Sequence, residues 1–237
     1  MLSFLGIGAQ KAGTTWLYEQ LALHPQIGFP GGKEVHYWDA RCATLPESWY
    51  RDLFATDDGR CNGDITPAYA TLELPVVQRI GALFPELRIL FLLRNPIERA
   101  WSSALMAMGR AELELDEVSD QWFLDHFRSR GSLLRGDYAR TLTIWHQVFA
   151  PERMLVLFHE ELCAAPLVLL DQVATFLGLP PAPAWTSAAV ATPVFAGSGA
   201  ALRPSLRPAL LELYWPRIAA LEARLECDLG HWYRGDG

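Results

Sequence analysis

Leu2-Ser3-Phe4-Leu5-Gly6-Ile7-Gly8-Ala9-Gln10-Lys11-Ala12-Gly13-Thr14-Thr15-Trp16-Leu17 decides the fold of this chain. Leu2 to Gly8 is a run of apolar and small side chains, the pattern of a buried strand. From Ala12 to Leu23, Leu17, Leu21 and Leu23 fall among polar residues, the pattern of a helix. A strand, a glycine-containing loop and a helix make the front half of a βαβ unit. Such a loop aims backbone N–H groups and the positive helix end at one place, which suits a phosphate. Gly8 to Thr15 is almost the sequence G-x-x-x-x-G-K-[ST], but Thr14 occupies the lysine position and the lysine has moved to Lys11. The anion site is kept and the kinase lysine is not.

Outward from this loop the same alternation repeats. Gln26 to Phe29 reads as a second strand, ended by Pro30-Gly31-Gly32, and Leu87 to Leu93 as a continuous apolar strand of the buried parallel type. Asn95-Pro96 opens a helix through about Met108. Met154 to Phe158 repeats the buried-strand signature. An amphipathic helix carrying Tyr138, Leu142, Trp145 and Val148 precedes it, and another from Glu160 to Phe176 follows. A last helix runs from about Pro208 to Leu225. Strands alternating with helices predict an α/β, three-layer fold with a central parallel sheet flanked by helices. Residues 1–237 read as a single domain, with Glu112 to Asp120 and Pro180 to Gly199 as surface loops.

Composition narrows the function. Hydrophobic residues make up 51% and charged residues 20%, which excludes a disordered chain. Twenty Lys plus Arg against 27 Asp plus Glu give a net charge of -7, which argues against a general nucleic-acid or anionic-membrane binder. Cys42, Cys61, Cys163 and Cys227 are widely spaced, without a C-x-x-C pair, and read as reduced thiols. No secretory signal is visible at the start of the sequence. The longest aliphatic run, Ile89 to Leu93, is far below the roughly 20 residues that span a bilayer. A soluble cytoplasmic enzyme is the expectation. Of the 20 basic residues only Lys11 and Lys33 are lysine. In a chain that uses arginine elsewhere, they mark positions where a compact ammonium is required.

The strand ending at Leu93 separates two kinds of phosphate chemistry. P-loop kinases and ATPases place an Asp there to hold Mg²⁺. Arg94 stands there in this chain, a cation at the carboxyl edge of the sheet, where open α/β folds bind ligands. It favours a second phosphate over a metal, and Ser102, eight residues on, can grip the same anion.

With these residues the sequence resembles a known family. Gln10-Lys11-Ala12-Gly13-Thr14-Thr15-Trp16-Leu17 is similar to the 5′-phosphosulfate loop of sulfotransferases that use 3′-phosphoadenosine 5′-phosphosulfate (PAPS). Arg94-Asn95-Pro96 with Ser102 resembles their 3′-phosphate motif. The resemblance continues through Lys33-Glu34-Val35-His36-Tyr37-Trp38, Thr66-Pro67-Ala68-Tyr69, Gly136-Asp137-Tyr138 with Trp145, and Phe176-Leu177-Gly178-Leu179. Together these segments are most similar to the branch holding heparan sulfate sulfotransferases and many small bacterial enzymes.

The resemblance implies a P-loop-like fold and sulfuryl transfer from PAPS, with 3′-phosphoadenosine 5′-phosphate (PAP) as product and no metal. It implies that Lys11, Ala12, Gly13, Thr14, Thr15 and Trp16 bind the phosphosulfate and that Arg94 and Ser102 bind the 3′-phosphate. Phe195 stacks on adenine and Arg203 reaches the 3′-phosphate in the same reading. Lys11 stabilises the leaving phosphate oxygen as a point charge, and Glu34 is the general base, with His36 the alternative. Two departures stand out. Many relatives carry a basic residue where this chain has Ile65, and Phe195 to Arg203 lacks the lysine and the cysteines of their last PAPS loop. His24 and His146 read as structural, and His126 falls in the segment expected at the acceptor mouth.

The acidic residues Glu112, Glu114, Asp116, Glu117 and Asp120 near that mouth would repel a polyanion. Tyr37, Trp38, Trp122 and Phe123 offer faces for a sugar, an aromatic or a lipid-like alcohol. A neutral or weakly charged small acceptor, attacked through a hydroxyl, is therefore expected. The rival readings are a P-loop nucleotide kinase or phosphotransferase, and an inactive PAP-binding protein.

Overall fold

The computed structural model describes residues 1–56, 58–190 and 199–234. The chain divides into two compact units, Met1–Leu93 with Thr143–Phe195, and Arg94–Leu142 with Ala196–Gly237.

The first unit holds a five-stranded, all-parallel sheet: β1 Leu2–Gly8, β2 Ile27–Gly28, β3 Cys61–Ile65, β4 Arg88–Leu93 and β5 Met154–Phe158, in the order β2-β3-β1-β4-β5. β1 and β4 are buried along nearly their whole length, as strands covered on both faces must be. From the central β1 the chain passes through α1 (Thr14–Ala22) to β2 at one edge, and then returns by α2 (Glu47–Leu53) to β3. It crosses by α3 (Leu74–Leu83) to β4 on the other side of β1. Right-handed crossovers running outward and then back place α1 and α3 on opposite faces. The reversal beside β1 puts the loop after β1 at the point where open α/β sheets bind ligands.

The expected β1 and β5 are found residue for residue, and β2 is shorter than Gln26 to Phe29. β3 was not anticipated. Cys61-Asn62-Gly63-Asp64-Ile65 contains three residue types that strands avoid and no apolar run. It forms because the ladder pairs it with both β1 and β2 and because Asp64 and the Asn62 amide N–H find partners, while Asn62 Oδ1 has none among the described residues. Asn62, fully buried, donates from Nδ2 to Thr56 Oγ1 at 2.8 Å.

The second unit is helical: α4 Pro96–Arg110, α5 Asp120–Arg128, α6 Arg130–Arg135 and, after the division, α11 Arg207–Leu225 and α12 His231–Arg234. α7 (Tyr138–Trp145) runs across the division at Leu142. Asn95 caps α4, its Oδ1 accepting from the Ile97 N–H at 3.0 Å while its Nδ2 donates to the Trp232 carbonyl at 2.9 Å.

In the first unit, the single helix expected over Glu160 to Phe176 is two, α8 His159–Ala164 and α9 Pro166–Leu177, because Pro166 lacks the N–H that would continue the first. α10 (Ser187–Val190) interrupts the expected loop from Pro180 to Gly199. His24 is structural, as expected: buried, it accepts from the Gln26 N–H at Nδ1 and lies 2.8 Å from the Pro180 carbonyl through Nε2.

Candidate active site

The loop after β1 is shaped by close approach. A Cβ at Gly8 would lie 3.0 Å from Ala70 Cβ and 3.3 Å from both Phe91 and the Pro67 carbonyl, so a side chain there would press on the loop's supports. The Ala9 N–H donates to the Leu92 carbonyl at 2.6 Å, and the Ala12 N–H closes a tight turn on Ala9. Lys11, half-buried, takes φ +68°. Gly13, the residue before α1, has φ +99°, a left-handed conformation, and its Cβ would meet Leu162 Cδ1 at 2.9 Å. No side chain caps α1 at Gly13. The first-turn N–H groups of Thr14, Thr15 and Trp16 therefore have no intrahelical acceptor and point, with the helix dipole, at one place. An anion is the group this geometry suits.

A chain of charged side chains leads away from that turn. Lys33 Nζ lies 3.1 Å from Thr15 Oγ1 and 3.2 Å from Glu34 Oε1, with only 11% of its side chain exposed. The other oxygen of Glu34 lies 2.9 Å from His36 Nε2, and His36 Nδ1 lies 2.8 Å from Asp39 Oδ2. His36 adopts φ +53° ahead of a π-helical turn over Tyr37–Arg41, which carries Asp39 round to its ring. The expected base and its expected alternative are thus hydrogen-bonded to each other. An imidazole clasped between two carboxylates orients both. Sequence reasoning missed Asp39 and gave Lys33 only a supporting part. The signals were the i, i+3 spacing of His36 and Asp39 and the scarcity of lysine.

Beneath this segment the end of β3 forms a polar anchor. Asp64, fully buried, accepts hydrogen bonds from Thr66 Oγ1 (2.7 Å), Tyr50 (2.8 Å) and Tyr69 (2.9 Å). Burial pushes its carboxyl above the usual carboxylate range, and the three hydroxyls and the Val35 backbone N–H pull the other way. Burial likewise raises Tyr50 and Tyr69, reinforced by the neighbouring carboxylate. Ile65, at the position where the family resemblance implied a basic residue, packs into the interior over Gly6.

Other expected site residues fare differently. Trp16 is buried, its indole N–H 3.4 Å from the Val190 carbonyl, and Ala12 and Thr14 are buried in the loop. In the second unit Arg94, directly after β4, places Nε and Nη2 at 3.1 and 3.0 Å from Glu98 Oε2, and Ser102 is half-buried on α4. Arg203 is engaged by Asp120 Oδ1 at 2.7 Å, by the Leu115 carbonyl and by the face of Phe123. That pairing also neutralises one of the acidic residues expected to repel a polyanion. Phe195 lies outside the described residues.

The aromatic acceptor surface is corrected. Tyr37 and Trp38 are 0% and 1% exposed, packed with Tyr50, and Phe123 is buried too. These rings build core and leave only Trp122 half-buried, stacked on His126. His126 lies 3.2 Å from Ser103 Oγ, and burial, with Arg99 and Arg135 nearby, holds its ring below the ordinary histidine value.

Known proteins share both pattern and fold. A solved sulfotransferase from Alicyclobacillus acidocaldarius superposes with a TM-score of 0.75 at 24% identity, covering 99% of each chain. A mouse sulfotransferase complexed with PAP has a TM-score of 0.61 at 15% identity, covering 95% of this chain and 89% of that one. These establish the P-loop-like α/β fold. Human heparan sulfate glucosamine 3-O-sulfotransferase 6 is 32% identical over 178 residues, 73% of this chain and 51% of that protein. Mouse bifunctional heparan sulfate N-deacetylase/N-sulfotransferase 4 is 28% identical over 196 residues, 75% of this chain and 22% of that protein. The chain thus spans about half the length, or less, of the curated relatives it matches. The family model of the sulfotransferase domain matches residues 3–192, and the chain belongs to that family.

Proposed function

We propose that residues 1–237 act as one PAPS-dependent sulfotransferase domain, moving a sulfuryl group to a hydroxyl of a neutral or weakly charged small acceptor. The observation that carries this reading is Lys33 Nζ, which bridges the first turn of α1 at Thr15 and the carboxylate of Glu34. Anion loop and base are thereby held in one hydrogen-bonded array. The uncapped α1 turn and its ammonium neighbour suit a phosphosulfate, so the donor fits the residues present. PAPS supplies the activated sulfuryl group.

Lys11 and the N–H groups of Gly13 to Thr15 hold the phosphosulfate and stabilise charge as it builds on the leaving oxygen. Thr14, Ala12 and Trp16 fix that loop in place. Glu34 takes the proton from the acceptor hydroxyl as its oxygen attacks in line, and His36, steadied by Asp39, orients the carboxylate. Arg94 and Ser102 are assigned to the 3′-phosphate, for which Arg94 must exchange its exposed Glu98 partner for the ligand. Arg203 is assigned instead to holding the turn at Leu115 to Asp120, because its guanidinium is already engaged there. The stacking role of Phe195 rests on the family resemblance alone.

The net charge of -7 and the exposed Glu112, Glu114, Asp116 and Glu117 support an acceptor that is not a polyanion, although the curated relatives are named for heparan sulfate. The four cysteines are free thiols, which supports a reducing, cytoplasmic setting, and no helix among the described residues is long and apolar enough to cross a membrane. Family membership replaces the phosphotransferase alternative. A screen with ³⁵S-labelled PAPS against phenols, neutral glycosides and heparan-like oligosaccharides, at low and moderate salt, tests the proposal. Transfer to a neutral class is expected, and Glu34→Gln should lower kcat about 100-fold while leaving PAP affinity unchanged. Efficient sulfation of the oligosaccharide, weakening with salt, would overturn the acceptor. PAP binding without turnover on any class would point to an inactive binding protein.

A further inference from the structure

The carboxyl of Asp64 bonds to neither the Glu34 nor the His36 side chain, while the Val35 N–H between them helps to hold its charged form. Its hydrogen bonds nevertheless have a fixed direction. The backbone N–H groups of Val35 and His36 lie 3.2 and 3.5 Å from Thr66 Oγ1, and the Tyr37 N–H lies 3.0 Å from the Tyr69 hydroxyl oxygen. An N–H can only donate, so both hydroxyls must accept from the loop and spend their single proton on Asp64. The Tyr50 hydroxyl adds a third donor to the same carboxyl. The carboxyl oxygens therefore only accept. Each N–H to O–H to carboxylate chain is polarised one way, and such chains strengthen along their length. None of the partners is Lys or Arg, so Asp64 is not the anion of an ion pair. Asparagine there would present an NH₂ group to a hydroxyl that has no free direction in which to turn. Its conflict would pass to the backbone of residues 35–37, which carries His36 at φ +53° next to Glu34.

We propose that Asp64 is a positioning residue for sulfuryl transfer, holding the Glu34–His36 segment in register through Thr66 and Tyr69. The inference rests on the proposed role of Glu34 and adds the element that fixes its backbone.

The test combines amide hydrogen exchange on the free protein with kinetics on whichever phenol, glycoside or oligosaccharide turns over. In Asp64→Asn, exchange at Val35, His36 and Tyr37 should quicken at least tenfold while amides of β1 stay within twofold. The kcat should fall tenfold or more, with KM for PAPS within twofold. Thr66→Val should repeat this and Thr66→Ser should restore it. Tyr50→Phe removes a donor from the same carboxyl but touches no loop N–H, so it should change kcat less than threefold. Adding Asp64→Asn to Glu34→Gln should cost nothing further, because the two act as a unit. Unchanged exchange at residues 35–37, an equal loss in Tyr50→Phe, or a fully additive double variant would overturn the proposal. Full activity in Glu34→Gln alone would instead remove the base assignment, and the exchange data would then still decide whether Asp64 orders the loop.

Discussion

Replacing Lys33 with methionine tests whether the bridge between the α1 turn and Glu34 is electrostatic. Methionine keeps the length and apolar stem of lysine and removes the charge and the donors. The ammonium has two oxygen partners at 3.1 and 3.2 Å. A hydrogen bond with a charged partner contributes about 1.5–3 kcal/mol, and the lower end applies because Glu34 retains 29% side-chain exposure. A loss of about 1.5 kcal/mol in a chain of this size lowers Tm by roughly 3–6 °C. The kinetic effect should be larger. With Ile65 in place of a basic residue, we assign Lys33 to leaving-group stabilisation together with Lys11; a preorganised donor in that role is worth about 2.7–4 kcal/mol, so kcat should drop roughly 100- to 1000-fold. PAP affinity should fall no more than about tenfold, which calorimetry without acceptor can read. Lys33→Arg should fail to restore kcat, because a planar guanidinium cannot set one compact charge against both Thr15 Oγ1 and Glu34 Oε1 as the ammonium does. Full kcat in Lys33→Arg, or a loss of only a few-fold in Lys33→Met, would refute the reasoning.

Three further outcomes follow from the same geometry. An amine reagent has only Lys11, Lys33 and the terminal amine as targets; saturating PAP should shield Lys11, and unchanged labelling by mass spectrometry would remove it from the site. Turnover should survive EDTA, since Arg94 follows β4 where P-loop phosphotransferases place their metal-binding Asp, and a loss restored by Mg²⁺ would revive that chemistry. Asp64 is protonated more readily folded than unfolded, so its contribution to stability is full below the ordinary carboxylate value near 4 and is lost as pH rises through its raised folded value. The facing Tyr50 and Tyr69 titrate far above that window. Wild type should therefore lose Tm relative to Asp64→Asn as pH climbs from about 4, and parallel curves would show that Asp64 has an ordinary carboxyl.

The apolar strands were legible from their unbroken apolar runs: burial on both faces leaves few other side chains permissible in β1, and the run persists in the edge strand β5 although three of its five residues are only part-buried. β1 and β5 were read to the residue. β3 was illegible for the opposite reason. Its Asn62 and Asp64 are buried polar residues whose partners, Thr56 for the Asn62 amide N–H and Thr66, Tyr50 and Tyr69 for Asp64, lie from 14 residues upstream to five downstream of Asp64. No local pattern encodes such partners. In the site, Gly8 to Thr15 was legible as a local turn with a required backbone shape. Tyr37 and Trp38 were misread as surface because their neighbours Glu34 and His36 are polar. The stacking of Tyr37 on Tyr50 that buries both comes from α2, which the sequence reading had not identified.

The departure at Ile65 has a physical compensation in the segment next to it. A basic residue at position 65 would bring a cation to the strand end that carries Asp64, whereas Ile65 turns its side chain into the core over Gly6. A buried carboxylate without a counter-ion is costly unless every acceptor site is filled. Asp64 comes close to that requirement with three hydroxyls and the Val35 N–H, and no cation. The hydroxyls of Thr66 and Tyr69 then have lone pairs left for the N–H groups of residues 35–37, so the same network also fixes the segment bearing Glu34. Lys33, one residue before Glu34, carries the ammonium to the α1 turn. The charge missing from β3 is thus supplied by the very segment that β3 holds in place, which couples the position of Glu34, the base we propose, to the position of the cation.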